Sequence, residues 1–155
     1  MSTLRIDVGA TSSSFTVAAK ACHVPVGVAT VASHLVSDPP APEELTNALG
    51  TVSDHVDDVM RELPDVIDAH RVEMTGAALR SIVAFELGHD AVPAQFTLLR
   101  DAADDVFRTV ATEARAERAA NPGLRPDDVD GVVAACCVVL GVMRRLQLAE
   151  VTVVE

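Results

Sequence analysis

Three short runs of branched and apolar residues, Leu4–Val8, Phe15–Lys20 and Val24–Val31, crowd into the first 31 positions of the chain. The links between them, Gly9–Ser14 and Ala21–His23, are too short to carry a crossover helix. Consecutive strands joined this tightly fold back on one another as an antiparallel meander. Pro25 and Gly27 put the third run at a sheet edge or a bulge.

Beyond the meander the periodicity changes. Ser37–Pro42 is a rigid connector, and Pro42 with Glu43 and Glu44 opens a helix by placing proline and acids in its first turn. Leu45, Leu49, Val52, Val56, Val59 and Leu63 recur at helical spacing, and Pro64 closes the segment. Arg71–Gly76 reads as a strand entering a turn, followed by a helix over Ala77–Leu87. Phe96–Leu99 reads as extended, Asp101–Thr112 as a helix, and Glu113–Ala120 as a short helix stopped by Asn121-Pro122-Gly123. Pro126-Asp127-Asp128 opens a last helix, so apolar on most sides that it predicts packing on more than one face. Glu150–Val154 is a final strand. The pattern predicts one α/β domain over residues 1–155, a mixed sheet led by a three-stranded antiparallel meander with helices on its faces.

Hydrophobic residues make up 49% of the chain and aromatics 3%, with no Trp or Tyr, so the core is built from Val, Leu, Ala and Ile. Single-stranded nucleic-acid readers need aromatic platforms, which four Phe do not supply. A net charge of −11 repels nucleic acid and anionic membrane surfaces. The three cysteines, with Cys136 and Cys137 adjacent in an apolar run, read as buried free thiols of a reducing compartment. The longest apolar run, Val132–Met143, is too short to span a bilayer, and no signal-peptide pattern opens the chain, so a cytoplasmic protein is expected.

The chemistry concentrates in Ile6–Val17. A strand delivers Asp7 into a turn of Gly9, Ala10, Thr11, Ser12 and Ser13, whose small residues let amides converge on a phosphate while hydroxyls add donors. Asp7 is placed to hold a hydrated Mg²⁺ accompanying that anion. An ordinary hydrophilic hairpin loop has the same composition, with Asp7 bonding its own turn. Thr75 and Gly76 end a strand and start a helix, which aims unpaired amides above the strand end, though such a junction is also plain structure. Arg80 could reach the same anion. His55 and Asp58 share a helix face, but two ligands do not make a metal site.

Asp7-Val8-Gly9-Ala10-Thr11-Ser12-Ser13-Ser14 resembles the phosphate-binding turn of the Ppx/GppA family of exopolyphosphatases and guanosine pentaphosphate phosphohydrolases, which reads D-[IV]-G-G-G-S-T-E. The tail is similar as well: Arg118 through Pro122-Gly123-Leu124 follows R-x-x-x-P-G-L, the apolar helix ends in Val142-Met143 near V-M-x-x-L, and Val151-Thr152-Val153 matches a V-T-V-S strand. Ser37-Asp38-Pro39-Pro40 is similar to the family's connector, and Met74-Thr75-Gly76-Ala77-Ala78 stands where it has G-T-G-G-T. The resemblance covers the second of the family's two ribonuclease-H-like subdomains, of the actin-like ATPase superfamily. It implies a phosphate site at Gly9–Ser13 and at Thr75 and Gly76.

Departures from the family pattern shape the functional expectation. The glutamate closing the family's turn is Ser14, two turn glycines are Ala10 and Thr11, and the last glycine of the second motif is Ala77. The arginine expected at the start of the last helix is Asp128, and the family's first subdomain has no counterpart in these 155 residues. The reading is therefore a degenerate domain that binds a phosphorylated small molecule or polyphosphate, or that serves oligomerisation, without catalysis. The alternative is a Mg²⁺-dependent phosphoanhydride hydrolase acting on polyphosphate or guanosine pentaphosphate as an oligomer or with a partner subunit. The greasy last helix and the half-cleft predict an exposed apolar surface covered by a second copy or a partner protein.

Overall fold

The computed structural model describes residues 2–155. Six strands form one mixed sheet in the order β3-β2-β1-β4-β6-β5: β1 (Thr3–Val8), β2 (Ser13–Val17), β3 (Lys20–Val24), β4 (Arg71–Thr75), β5 (Gln95–Leu99) and β6 (Glu150–Val154). β1, β2 and β3 are the expected antiparallel meander, β1, β4 and β6 run parallel, and β5 pairs antiparallel with β6 at the far edge. The helices are α1 (Val28–Ala32), α2 (Pro42–Glu62), α3 (Ala77–Leu87), α4 (Arg100–Thr112), α5 (Arg115–Ala119) and α6 (Val132–Arg145). α2, α3, β4 and β6 follow the sequence pattern closely.

The second and third strands are displaced from the sequence pattern: Ala21–His23, expected as a link, lies inside β3, and of the expected third run Val24–Val31 only Val24 is in a strand. Ala18 and Ala19 adopt φ of 50° and 64°, the left-handed pair of a two-residue hairpin turn, so β2 stops at Val17 and β3 begins at Lys20. Alanine lacks the freedom that normally marks such a turn, which hid it from the pattern. Val28–Val31, expected as the end of the third strand, belongs instead to the helix α1. Its first amides are taken by the β1–β2 turn, since Val28 N donates to Gly9 O at 3.0 Å and Ala29 N to Ala10 O at 2.8 Å. β-Branched residues tolerate a helix when its end is satisfied in this way.

Burial alternates along every strand. Leu4, Ile6, Val8, Phe15, Val17, Cys22, Val24, Val72, Met74, Leu98, Val151 and Val153 point into the core. The residues between them are partly or fully exposed, so the helices gather on one face and the other face of the sheet is open. Register sets Arg5 beside Glu73 on the open face, where Glu73 accepts from Arg71 and from Arg5, each at 3.0 Å. The Arg71 hydrogen bond, seconded by Arg5, holds the Glu73 carboxyl below its ordinary range.

α6 is the centre of the helical layer. Every residue from Val132 to Met143 is buried, with α1, α2, α3 and α4 packed around it. Gly141 brings α6 against α2, because a Cβ there would stand 2.5 Å from Val52 Cγ1. The expected exposed apolar face on this helix is therefore absent: it is spent inside the chain. The exposed large apolar residues, Val36, Ile67 and Leu99, lie in three separate segments, so an oligomer gains no support from α6. The first turn expected at Pro126 is a separate 3-10 turn, Pro126–Asp128, and α6 proper starts after Gly131.

The rest of the layer is tied by Arg118, which is buried and donates to the backbone oxygens of Glu113 (2.7 Å), Val129 (3.3 Å) and Val110 (3.4 Å). This one guanidinium joins α4, α5 and the segment before α6. All three cysteines are buried and free, as expected. Burial, with the Glu62 carboxylate accepting the thiol, pushes Cys22 up to about 11. Among the described residues no helix is long and apolar enough to cross a membrane.

Candidate functional site

β1, β4 and β6 are parallel, so the turns leaving Val8 and Thr75 and the end of β6 open at the same edge of the sheet. Ligands of open α/β sheets bind at this carboxyl edge. Two adjoining cavities occupy it. The smaller, of about 410 Å³, lies between Gly9 and Ala10 on one side and Ala77, Ala78 and Ser81 on the other, with Asp127, Asp128 and Gly131 closing it. The larger, of about 500 Å³, continues past Thr75, Gly76 and Ala77 to Arg80, Arg125 and the loop Asp90–Pro93.

The β1–β2 turn is held from behind. Gly9 N donates to Ser12 O at 3.0 Å, and the carbonyls of Gly9 and Ala10 point back to α1. Gly27 makes this packing feasible: a Cβ on it would stand 2.5 Å from Ala10 O and closer still to Gly9 O. With its carbonyls turned inward, the turn leaves the amides of Ala10, Thr11 and Ser12 without partners among the described residues, and all three residues are exposed. That is the polarity an anion site needs. Ser13 does not belong to it. It is 5% exposed, and its hydroxyl donates to Val26 O at 2.6 Å, so it pins β2 to the segment after β3.

Gly76 forms the second turn. At φ 134° it adopts a conformation reserved for glycine, and a Cβ would collide with Val8 O. The β4 turn is thereby pressed against the end of β1, which places the two predicted motifs side by side. Leu79 and Arg80 amides return to Gly76 O, leaving Ala77 and Ala78 N–H unpaired among the described residues at the start of the 11-residue α3. Thr75 and Gly76 border the larger cavity, Gly9 and Ala10 the smaller one, and Ala77 both.

Asp7 lies on the open face of the sheet, in register with Ser14 of β2 and Thr75 of β4, and Ser14 is in register with His23 of β3. The row His23–Ser14–Asp7 assembles the residue types of a hydrolytic triad with serine in the middle. No hydrogen bond joins them among the described residues, so no proton relay is formed. Asp7 borders neither cavity, and no group of three or more ligating side chains is present among the described residues. A single carboxylate does not make a protein cage for Mg²⁺, which in such sites is held by one or two acids, waters and the ligand's own phosphates. His55 Nδ1 and Asp58 Oδ2 stand 3.9 Å apart, and among the described residues no third ligating side chain joins them.

The cationic part of the site is the feature the sequence conceals. Arg80 Nη2 donates to Asp90 O at 2.7 Å, Arg80 Nη1 lies 3.6 Å from Asp128 Oδ2, and Arg125 Nε lies 3.5 Å from Asp90 Oδ2. Arg80 was readable as a candidate from its place one turn into α3. Arg125 and Asp90 come from segments far apart in the chain, and only the fold brings them together.

The sequence matches no family model and no curated protein. The fold, in contrast, has clear counterparts. An exopolyphosphatase-like protein superposes on all of the chain with a TM-score of 0.91 at 20% identity, over 55% of its own length. The Ppx/GppA phosphatase of Aquifex aeolicus superposes on 99% of the chain with a TM-score of 0.84 at 14% identity, over 53% of its length. An exopolyphosphatase from Cytophaga hutchinsonii gives a TM-score of 0.75 at 16% identity, over 99% of the chain and 53% of its own. The chain spans about half the length of these proteins and has the fold of that half: a mixed α/β sheet of the type the sequence motifs imply.

Proposed function

We propose that this domain is one wall of a phosphate-binding cleft, corresponding to the second subdomain of the Ppx/GppA proteins, and that it holds a phosphorylated ligand without hydrolysing it. The observation that carries the reading is the convergence of two turns at one sheet edge with their amides unspent: Ala10, Thr11 and Ser12 on one, Ala77 and Ala78 on the other. Ala10, Ala77 and Ala78 border the cavities and Thr11 and Ser12 extend the first turn beyond them, an arrangement of N–H groups that suits a phosphoryl group or a short phosphate chain. The ligand class follows from this geometry and from the names of the proteins that share the fold: an exopolyphosphatase-like protein, a Ppx/GppA phosphatase and an exopolyphosphatase. The facing wall of the cleft comes from another domain.

Three features argue for binding without turnover. Ser14 replaces the acid that closes the family's turn, Ser13 spends its hydroxyl on Val26 O, and Asp7 stands outside both cavities. One observation favours the hydrolytic reading instead: Asp127 and Asp128 border the smaller cavity beside Gly9 and Ala10, within the region where water would attack. Phosphate release from polyphosphate and from guanosine pentaphosphate, with and without Mg²⁺, separates the two. The proposal expects none above buffer. Release that disappears in Asp7→Ala or Asp127→Asn would establish the hydrolase and end the proposal.

A further inference from the structure

We propose that Asp128 and Asp90 are internal counter-anions for a two-arginine subsite in the larger cavity, and that a phosphate group enters by replacing them on Arg80 and Arg125. The inference rests on the phosphate-binding reading and assigns the cationic residues that reading lacks.

Arg80 is badly satisfied for a residue in its position. Among the described residues one of its five N–H donors makes a hydrogen bond, to Asp90 O, although its side chain is only 27% exposed. Its contact with Asp128 is a loose one at 3.6 Å, and Asp128 Oδ2 is buried without any hydrogen bond. A carboxylate oxygen taken from water and left unbonded is an unfavourable contact, held by charge alone. Arg125 and Asp90 show the same looseness at 3.5 Å. The two guanidiniums thus face a cavity of about 500 Å³ with donors in hand and weak partners.

A phosphate offers these donors what the aspartates do not: several oxygens in a geometry that accepts from guanidinium bidentately. The amide of Ala77 borders the same cavity. The wall beyond the arginines is formed by Val92, Pro93, Val153 and Val154, with Glu155 adding a further carboxylate beside them. The ligand class is therefore a phosphate ester or anhydride that carries an apolar or ring-bearing body against that wall. In a chain of net charge −11, internal carboxylates on the arginines also exclude weak anions, so only a multiply charged group displaces them.

The test is calorimetric titration of inorganic pyrophosphate at low ionic strength into the wild type and five variants. Asp128→Asn should tighten binding about tenfold, the order expected for removing one repelling charge at ion-pair range in a partly exposed site. Asp90→Asn should tighten it too, and carries the test by itself should Asp128→Asn not fold. Arg80→Gln should weaken binding and cancel the gain when combined with Asp128→Asn. Asp130→Asn, which removes an equal charge paired with Arg115 elsewhere, should have little effect. An unchanged affinity in both aspartate variants overturns the inference, as does a gain that survives Arg80→Gln or is matched by Asp130→Asn. If pyrophosphate then still perturbs the amides of Ala10–Ser12, the phosphate-binding reading stands without the counter-anions. Absence of binding in every variant removes both.

Discussion

Replacing Gly27 by alanine tests whether the β1–β2 turn is held in place by packing against α1. Gly27 has extended backbone angles, φ −154° and ψ −174°, that any residue adopts, so alanine adds no conformational strain. The effect is purely steric. A Cβ would stand 2.5 Å from Ala10 O and closer to Gly9 O, about an ångström inside normal contact. Relieving that overlap moves the turn away from α1 and breaks two hydrogen bonds, Val28 N to Gly9 O and Ala29 N to Ala10 O. At about 0.5–1.5 kcal/mol each, the loss is roughly 1–3 kcal/mol. With a urea slope of about 1–3 kcal/mol/M, the unfolding midpoint falls by about 1 M. Hydrogen exchange gives the local readout: Val28 and Ala29 amides should lose protection while those of α6 keep theirs. Gly50→Ala is the matched control, because its Cβ meets nothing within 4 Å and it lies inside α2; it should stabilise by up to about 1 kcal/mol. A Gly27→Ala protein with unchanged midpoint and full protection at Val28 and Ala29 would refute the reasoning.

The remaining predictions concern other parts of the frame. Ala18→Asn with Ala19→Gly supplies the residues a left-handed hairpin turn prefers and should raise stability by about 1 kcal/mol in urea unfolding. Arg118→Met keeps the apolar stem but strips donors from two buried carbonyls and one part-buried carbonyl, and should cost roughly 3 kcal/mol. Glu44 accepts from the amides of Ala41, Val36 and Ser37, with the Ala41 bond chief among them, and its carboxyl is held below the ordinary value. A depressed folded-state pKa stabilises above the unfolded value and is lost as pH falls through the folded one. Urea midpoints measured from about pH 6 to about pH 3 should therefore fall less steeply for Glu44→Gln than for the wild type.

Much of this architecture was legible because each element carries its own local signals. α2 has Pro42 and two acids at its start and Pro64 past its end, and α3 lies between Gly76 and Gly88, so both helices sit where the pattern places them. The hairpin turn was not legible, because Ala18-Ala19 carries none of the Gly or Asn that announces left-handed backbone. α1 was not, because what makes Val28–Ala32 helical is a pair of carbonyls from residues 9 and 10. The open sheet face could have been read from Thr3-Leu4-Arg5-Ile6-Asp7-Val8, whose strict alternation describes a strand covered on one side. The turns of the candidate site were found by their small residues. Of its charges Arg80 was legible one turn into α3, but its grouping with Arg125, Asp90 and Asp128 exists only after folding.

Pressing the turn after β4 against the end of β1 is the physical act on which the site depends. Gly76 permits it, and the reward is a set of free amides gathered at one edge. Amide chemical shifts recorded while pyrophosphate is added to the wild-type chain test this most directly. Saturable shifts at Ala10, Thr11, Ser12, Ala77 and Ala78, sharing one dissociation constant, are the result this account predicts. Shifts confined to the open face around Arg5 and Arg71, or none at the two turns, would contradict it.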